Sequence, residues 1–166
     1  MVKIKYFVIA ALAVGIAVWA AFYLFQSEER KVKKQFHQLE EWVSKEGSEN
    51  AFIMAHTTQK IGSLFAEKFA LKTEMDSVSG TYTPEERSSL AARGRLLFSY
   101  LTLTFSNFDI SFPEKGTAKV ALVARLKGRS TAGESMDETH ELESILKKID
   151  QRWLFSYVEM FQVLKK

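Results

Sequence analysis

Residues Tyr6 to Phe25, YFVIAALAVGIAVWAAFYLF, form an unbroken run of twenty residues without a charge. At a helical rise of about 1.5 Å per residue, such a run spans roughly 30 Å, the hydrocarbon thickness of a bilayer. Lys3 and Lys5 precede it, and the polar run QSEERKVKK follows. Tyr6 and Phe7 at one end, with Trp19, Phe22 and Tyr23 at the other, stand where amphipathic rings favour the membrane interface. No polar face interrupts the run, which argues against a helix buried in a soluble core. A cleavable signal peptide is the competing reading, because Val18-Trp19-Ala20 loosely resembles a small-x-small cleavage site. The apolar run continues through Phe22-Tyr23-Leu24-Phe25, beyond the length of a usual signal core, and favours a retained anchor. The expectation is a short tail and single transmembrane anchor over residues 1–27, in the bilayer from Tyr6 to Phe25, and one domain over 28–166.

The orientation signal is divided. Lys3, Lys5 and the terminal amine favour a cytoplasmic N-terminus, whereas Arg30, Lys31, Lys33 and Lys34 lie close to the other end of the span. Weighed as a signal-anchor-like start, the sequence favours a short cytoplasmic tail and a domain on the extracytoplasmic side.

The net charge of +3 has the look of a nucleic-acid signal until it is located. Without Lys3 and Lys5, 21 basic and 20 acidic residues remain. The only basic cluster is the juxtamembrane Arg30-Lys31-Val32-Lys33-Lys34, a solvated helix face or a contact for anionic headgroups, so no nucleic-acid partner is expected. The chain has no cysteine, which excludes disulfides, thiolate metal sites and a cysteine nucleophile.

After the span, Val32, Phe36, Leu39 and Val43 form one helical stripe in residues 28–46, ahead of a stop at Gly47. A second helix is expected from Glu49 to Ile61, capped by Ser48, with Ile53, Thr57 and Ile61 inward and Gly62 at its end. From Leu64 to Met75 the alternation indicates a strand, and Ser79-Gly80 turns it back into a short Thr81-Tyr82 partner. Thr83-Pro84-Glu85-Glu86 supplies an N-cap, a proline at the first helical position and a capping box. The helix it opens is expected to carry Leu90, Leu97 and Leu101 on one stripe, with Gly94 allowing close packing. Four strands follow: around Phe108 to Phe112, Ala118 to Leu126, Met136 to Lys147 and Trp153 to Phe161, with 128–135 as a loop. Short connections imply neighbouring antiparallel hairpins.

This order of elements resembles the nuclear transport factor 2-like superfamily, also called SnoaL-like or cystatin-like cones. The local match is the closing hairpin, Ile145-Leu-Lys-Lys-Ile-Asp-Gln-Arg-Trp153-Leu-Phe, in which Gln151 stands where the family commonly has Gly. The resemblance implies an α+β cone of about three helices on a curved antiparallel sheet, with a cavity used for catalysis in some members and for binding or dimerisation in others. Relatives include steroid isomerases and dehydratases, and also membrane-anchored assembly proteins of type IV secretion systems. The fold does not choose among these functions.

An enzyme of this shape needs an acid or base on the apolar inner face, where desolvation tunes its pKa. By alternation Glu159 shares a face with Trp153, Phe155, Tyr157 and Phe161, and His140 shares one with Glu138, Leu142 and Leu146. Glu159, Tyr157 and His140 are thus the cavity candidates, set against the blander reading that they sit at the rim and reach water. Asp137, Glu141 and Glu143 alternate away from Glu138 and His140; two ligands are too few for a closed metal site, so these read as solvated edge charges and no metal or cofactor is expected. His37 with Glu40 and Glu41 reads as helix-surface decoration, His56 as a packed histidine beside an apolar stripe, and Asp109 as solvent-facing.

Two functional readings follow. The favoured one is a membrane-anchored, non-catalytic domain that engages a protein partner or a second copy of itself through the exposed sheet. The alternative is a cone that binds a small apolar ligand or acts as an isomerase- or dehydratase-like enzyme. A deep cavity of mixed polarity holding Glu159, Tyr157 and His140 favours the second; a Phe-filled interior beneath an apolar outer sheet patch favours the first. The thirteen Phe serve either.

Overall fold

A computed structural model of the chain describes residues 2–74 and 78–162. Its first element is one helix, α1 (Val2–Val43), which runs through the apolar stretch into the domain without a break. No proline or glycine separates the two parts, so the 3.6-residue period carries on. Side chains from Val8 to Phe25 are almost all solvent-exposed, whereas Val32 and Phe36 are fully buried. The apolar half is thus long enough to cross a membrane and is not a core helix of this domain.

The helix ends at Val43, earlier than Gly47, because the chain passes into a two-residue strand, β1 (Lys45–Glu46). There follow α2 (Ala51–Ser63), β2 (Phe65–Lys72), β3 (Gly80–Tyr82), α3 (Pro84–Leu96), β4 (Phe98–Glu114), β5 (Thr117–Ser130), β6 (Ser135–Ile149) and β7 (Arg152–Gln162). The cap of α2 is Asn50, whose side chain accepts from Ile53 N–H at 2.8 Å, rather than Ser48. Gly62 lies within this helix. A Cβ there would stand 2.8 Å from Ser88 Oγ, so its role is close approach to α3 and not termination. Thr58 and Ile61 turn inward, while Ile53 and His56 are exposed. The capping box at Thr83 and Glu86 forms as expected.

The α3 stripe does not. Leu97 is exposed, Leu101 belongs to β4, and nothing lies within 4 Å of a Cβ placed on Gly94. The residues this helix buries are Arg87 and Arg95. Arg95 donates to the carbonyls of Trp42 and Val43 at 2.6 and 2.8 Å and pairs with Glu49, thereby satisfying the free C-terminal carbonyls of α1. Propensity and period cannot reveal a helix whose inward side is held by arginine.

The described strands form one seven-stranded sheet in the order β1-β4-β5-β6-β7-β2-β3. It is mixed rather than wholly antiparallel, because β2 runs parallel to β7. β4 begins ten residues before Phe108, and Met75 lies outside the described residues. The edge of β4 beyond β1 is covered by the end of α1 and the residue that follows it, where Glu40 accepts from Phe105 N–H and Ser44 Oγ accepts from Leu103 N–H at 3.1 Å. Glu40 is therefore a sheet-edge ligand as well as a partner of His37. The core lies between α1 and the inner sheet face, centred on Phe36, whose ring meets those of Phe105, Phe108 and Phe155 edge-on at 5.3, 5.3 and 4.9 Å.

Candidate functional site

Two irregularities decide which side chains face the interior. In β4 the pairing with β5 shifts between Ser106 and Asp109, with Asn107 at φ 55°, so that Leu103 and Phe105 before the bulge and Phe108, Ile110 and Phe112 after it all pack inward. Asp109 faces solvent, as expected. In β7 the register with β6 shifts between Ile145 and Leu146: Leu146 faces Phe155, Ile145 faces Tyr157, and Ser156 is the extra residue. Trp153 and Phe155 lie in the core, and after the bulge it is Val158 and Met160 that pack against it.

The shared face expected for Glu159, Tyr157, Trp153 and Phe155 is thereby corrected. One extra residue reverses the alternation, and Tyr157, Glu159 and Phe161 turn to the outer face. There Tyr157 Oη donates to Glu159 Oε2 at 2.9 Å, and Lys72 Nζ lies 2.6 Å from Glu159 Oε1. The Lys72 hydrogen bond, followed by that from Tyr157, holds the Glu159 carboxyl below its ordinary value. Burial and the Glu159 hydrogen bond push the Tyr157 phenol up. The pair continues a ladder of outer charges, Lys119 with Glu143 at 3.1 Å and Arg125 with Asp137 at 2.8 Å. The outer sheet is charged and internally paired rather than apolar.

His140 lies on the inner face, opposite Ala124, with Leu142, Ser144 and Leu146 along the same side of β6. Its Nε2 lies 3.2 Å from Glu138 Oε2, and its Nδ1 is enclosed without a hydrogen-bond partner. The three candidates therefore divide: Tyr157 and Glu159 come together outside, and His140 faces the other way with Glu138.

The interior holds a cavity of about 230 Å³ between α1, α2, α3 and the sheet. Phe36, Phe65, Phe69, Phe105 and Phe155 supply its aromatic wall, with Leu142 and Val158 from the sheet. Among the described residues that line it, only Arg87 and Ser144 are polar, and none is a carboxylate or an imidazole. Ser144 is committed, its hydroxyl donating to the Tyr157 carbonyl at 3.2 Å. Arg87 is 7% exposed, donates Nη1–H to the Ala66 carbonyl, and has its Cζ 5.8 Å from the Phe65 ring centre. Burial pushes its pKa down, opposed by the charge of Glu85. The sequence reading missed this arginine because a single Arg in a charged helix start carries no spacing signal. Among the described residues no group of three or more His, Asp or Glu is placed to hold a metal.

No family model matches the chain, and no curated protein matches it in sequence. Solved structures do match in shape. A candidate scytalone dehydratase from Novosphingobium aromaticivorans superposes with a TM-score of 0.69 at 18% identity, covering 84% of this chain and 86% of its own. A type 2 hexachlorocyclohexane dehydrochlorinase, LinA, gives 0.65 at 11% identity, with 84% and 87% covered. Aln2 from a Streptomyces species gives 0.62 at 13% identity, with 82% and 90% covered. Identities this low speak to fold alone. With its helices packed into a curved sheet and its cavity between them, the chain has the nuclear transport factor 2-like cone fold, preceded by a long apolar helix.

Proposed function

We propose that the chain is a membrane-anchored, non-catalytic binding domain that takes a small apolar ligand into the cone cavity. The observation that carries this reading is the cavity wall, which is mainly aromatic and aliphatic and, among the described residues, offers no carboxylate or imidazole to move a proton. The neighbours named for dehydratase and dehydrochlorinase activities share the fold, and that activity class is the alternative for this chain. At about 230 Å³ the space exceeds the roughly 150 Å³ that houses benzene and falls below the roughly 300 Å³ where drug-sized pockets begin. One ring or one short chain fits. The anchor is the apolar half of α1, retained rather than cleaved, with the domain on the extracytoplasmic side.

A second reading, docking of a protein partner or a second copy, draws support from the end of the domain away from the anchor. Phe52 on α2 is 81% exposed, and Leu96 and Leu97 at the end of α3 are 56% and 62% exposed. The Glu49–Arg95 pair brings these two helix ends together.

The test uses the full chain in phosphatidylcholine nanodiscs. Toluene is expected to raise the thermal midpoint of the native protein and to leave that of Ala91→Phe, which fills the cavity from α3, unchanged. An unshifted midpoint in the native protein overturns the reading.

A further inference from the structure

We infer that the cavity ligand carries an anionic head, a carboxylate on a short apolar body, gripped by the Nε and Nη2 edge of Arg87. The inference rests on the cavity reading above and adds its chemistry. Three arginines of this fold can be compared directly. Arg125 grips Asp137 with Nε and Nη2, both at 2.8 Å. Arg95 presents the same edge to Glu49, with Nε at 3.3 Å. In each the two parallel N–H bonds meet the two oxygens of a carboxylate, which is the geometry a guanidinium favours.

Arg87 is more buried than Arg125, yet this edge is unused. Its Nη1 is spent on the Ala66 carbonyl, its Nε is enclosed with no hydrogen-bond partner, and no carboxylate lies within ion-pair distance among the described residues. A buried donor left unmade costs free energy, and a buried cation without an anion costs more. The residue stands between the cavity and a wider open groove on α2 and α3, which Glu67, Glu85 and Arg152 also line. Counted with Arg87, the groove holds two arginines and two glutamates, so its formal charges cancel at a distance; Glu85 acts on Arg87 by charge alone, and neither glutamate reaches its guanidinium as an ion pair. A ligand that places its apolar body among the phenylalanines and its carboxylate at this wall satisfies both. The cavity is too small for a two-chain lipid, so the body is a single ring or a short chain.

The full chain in phosphatidylcholine nanodiscs is titrated with hexanoate and with hexan-1-ol, which share a chain length and differ in the head. Hexanoate is expected to bind at least about tenfold more tightly, the scale of one charge-assisted hydrogen bond, and to move the Arg87 Nε–H resonance in ¹⁵N spectra. Arg87→Met removes the preference and Arg87→Lys retains part of it. Should Arg87→Met fail to fold, the Nε–H resonance of the native protein decides alone. Equal binding of acid and alcohol, or an unmoved resonance, overturns the anionic head while leaving the apolar cavity standing. Binding of neither compound overturns both.

Discussion

Trp153 donates its indole N–H to Glu28 Oε2 at 2.8 Å, joining the start of the last strand to the first polar turn after the apolar run. Lys148 reaches the same oxygen at 3.0 Å and Lys31 the other at 2.8 Å. Three residues earlier, Phe25 meets Phe112 of β4 edge-on at 5.1 Å. The apolar half of α1 is thus held rigidly to the domain rather than by a flexible linker. On the reading of an anchor that ends at Phe25, the β4–β5 turn and the β6–β7 turn lie beside the membrane surface.

Glu28 gives this junction a pH dependence. Burial alone would raise its carboxyl pKa, but the hydrogen bonds from Lys31, Lys148 and Trp153 overcome that and lower it to about 2. A carboxyl whose folded value lies below its unfolded one stabilises the fold above the unfolded value and loses that contribution as pH falls. Stability is expected to decline between about pH 4.5 and 2. Glu28→Gln should lower stability at pH 7 by roughly 1–3 kcal/mol and flatten the acid limb, measured as denaturant midpoint against pH.

The outer pair carries a different expectation. Glu159→Gln and Tyr157→Phe alter a partly exposed cluster on the charged outer face, where solvent screens the Lys72 pair, so each should barely move the urea midpoint and leave toluene binding unaltered. Urea unfolding and the toluene shift check this together.

Gly128 is a position of close backbone approach between β4 and β5. A Cβ there would meet Phe98 Cδ1 at 2.9 Å and the Tyr100 carbonyl at 3.0 Å. Since a backbone atom cannot swing aside, Gly128→Ala should cost roughly 1–3 kcal/mol, read by thermal unfolding.

Arg95→Met removes the donors that close α1 and strands the Glu49 carboxylate. A loss of roughly 3–5 kcal/mol is expected, with earlier hydrogen exchange at Trp42 and Val43, because breaking one half of a buried pair leaves the other charge uncompensated.

Local chemistry made much of this fold readable. The Thr83 box, the Val32-Phe36-Leu39-Val43 stripe and the alternation of β5 are one-dimensional signals, and each marks a real element or buried face. The site was harder to read because bulges count residues across two strands. Nothing in Phe155-Ser156-Tyr157 announces that Ser156 is extra, yet that residue sends Glu159 out and Val158 in. Arg87 and Arg95 escaped for a related reason: their partners lie 21 and about 50 residues away, on carbonyls that any sequence possesses.

The central claim is that the binding site is the phenylalanine-walled cavity and not the outer Tyr157–Glu159 cluster. Methyl NMR of the full chain in nanodiscs, labelled at Leu, Val and Ile, tests it most directly on addition of toluene. The account predicts shifts at Leu39, Leu71, Leu142 and Val158, which line the cavity, with Ile145 beside Tyr157 unmoved. Shifts confined to Ile145 and its outer-face neighbours, with the cavity methyls still, would contradict it.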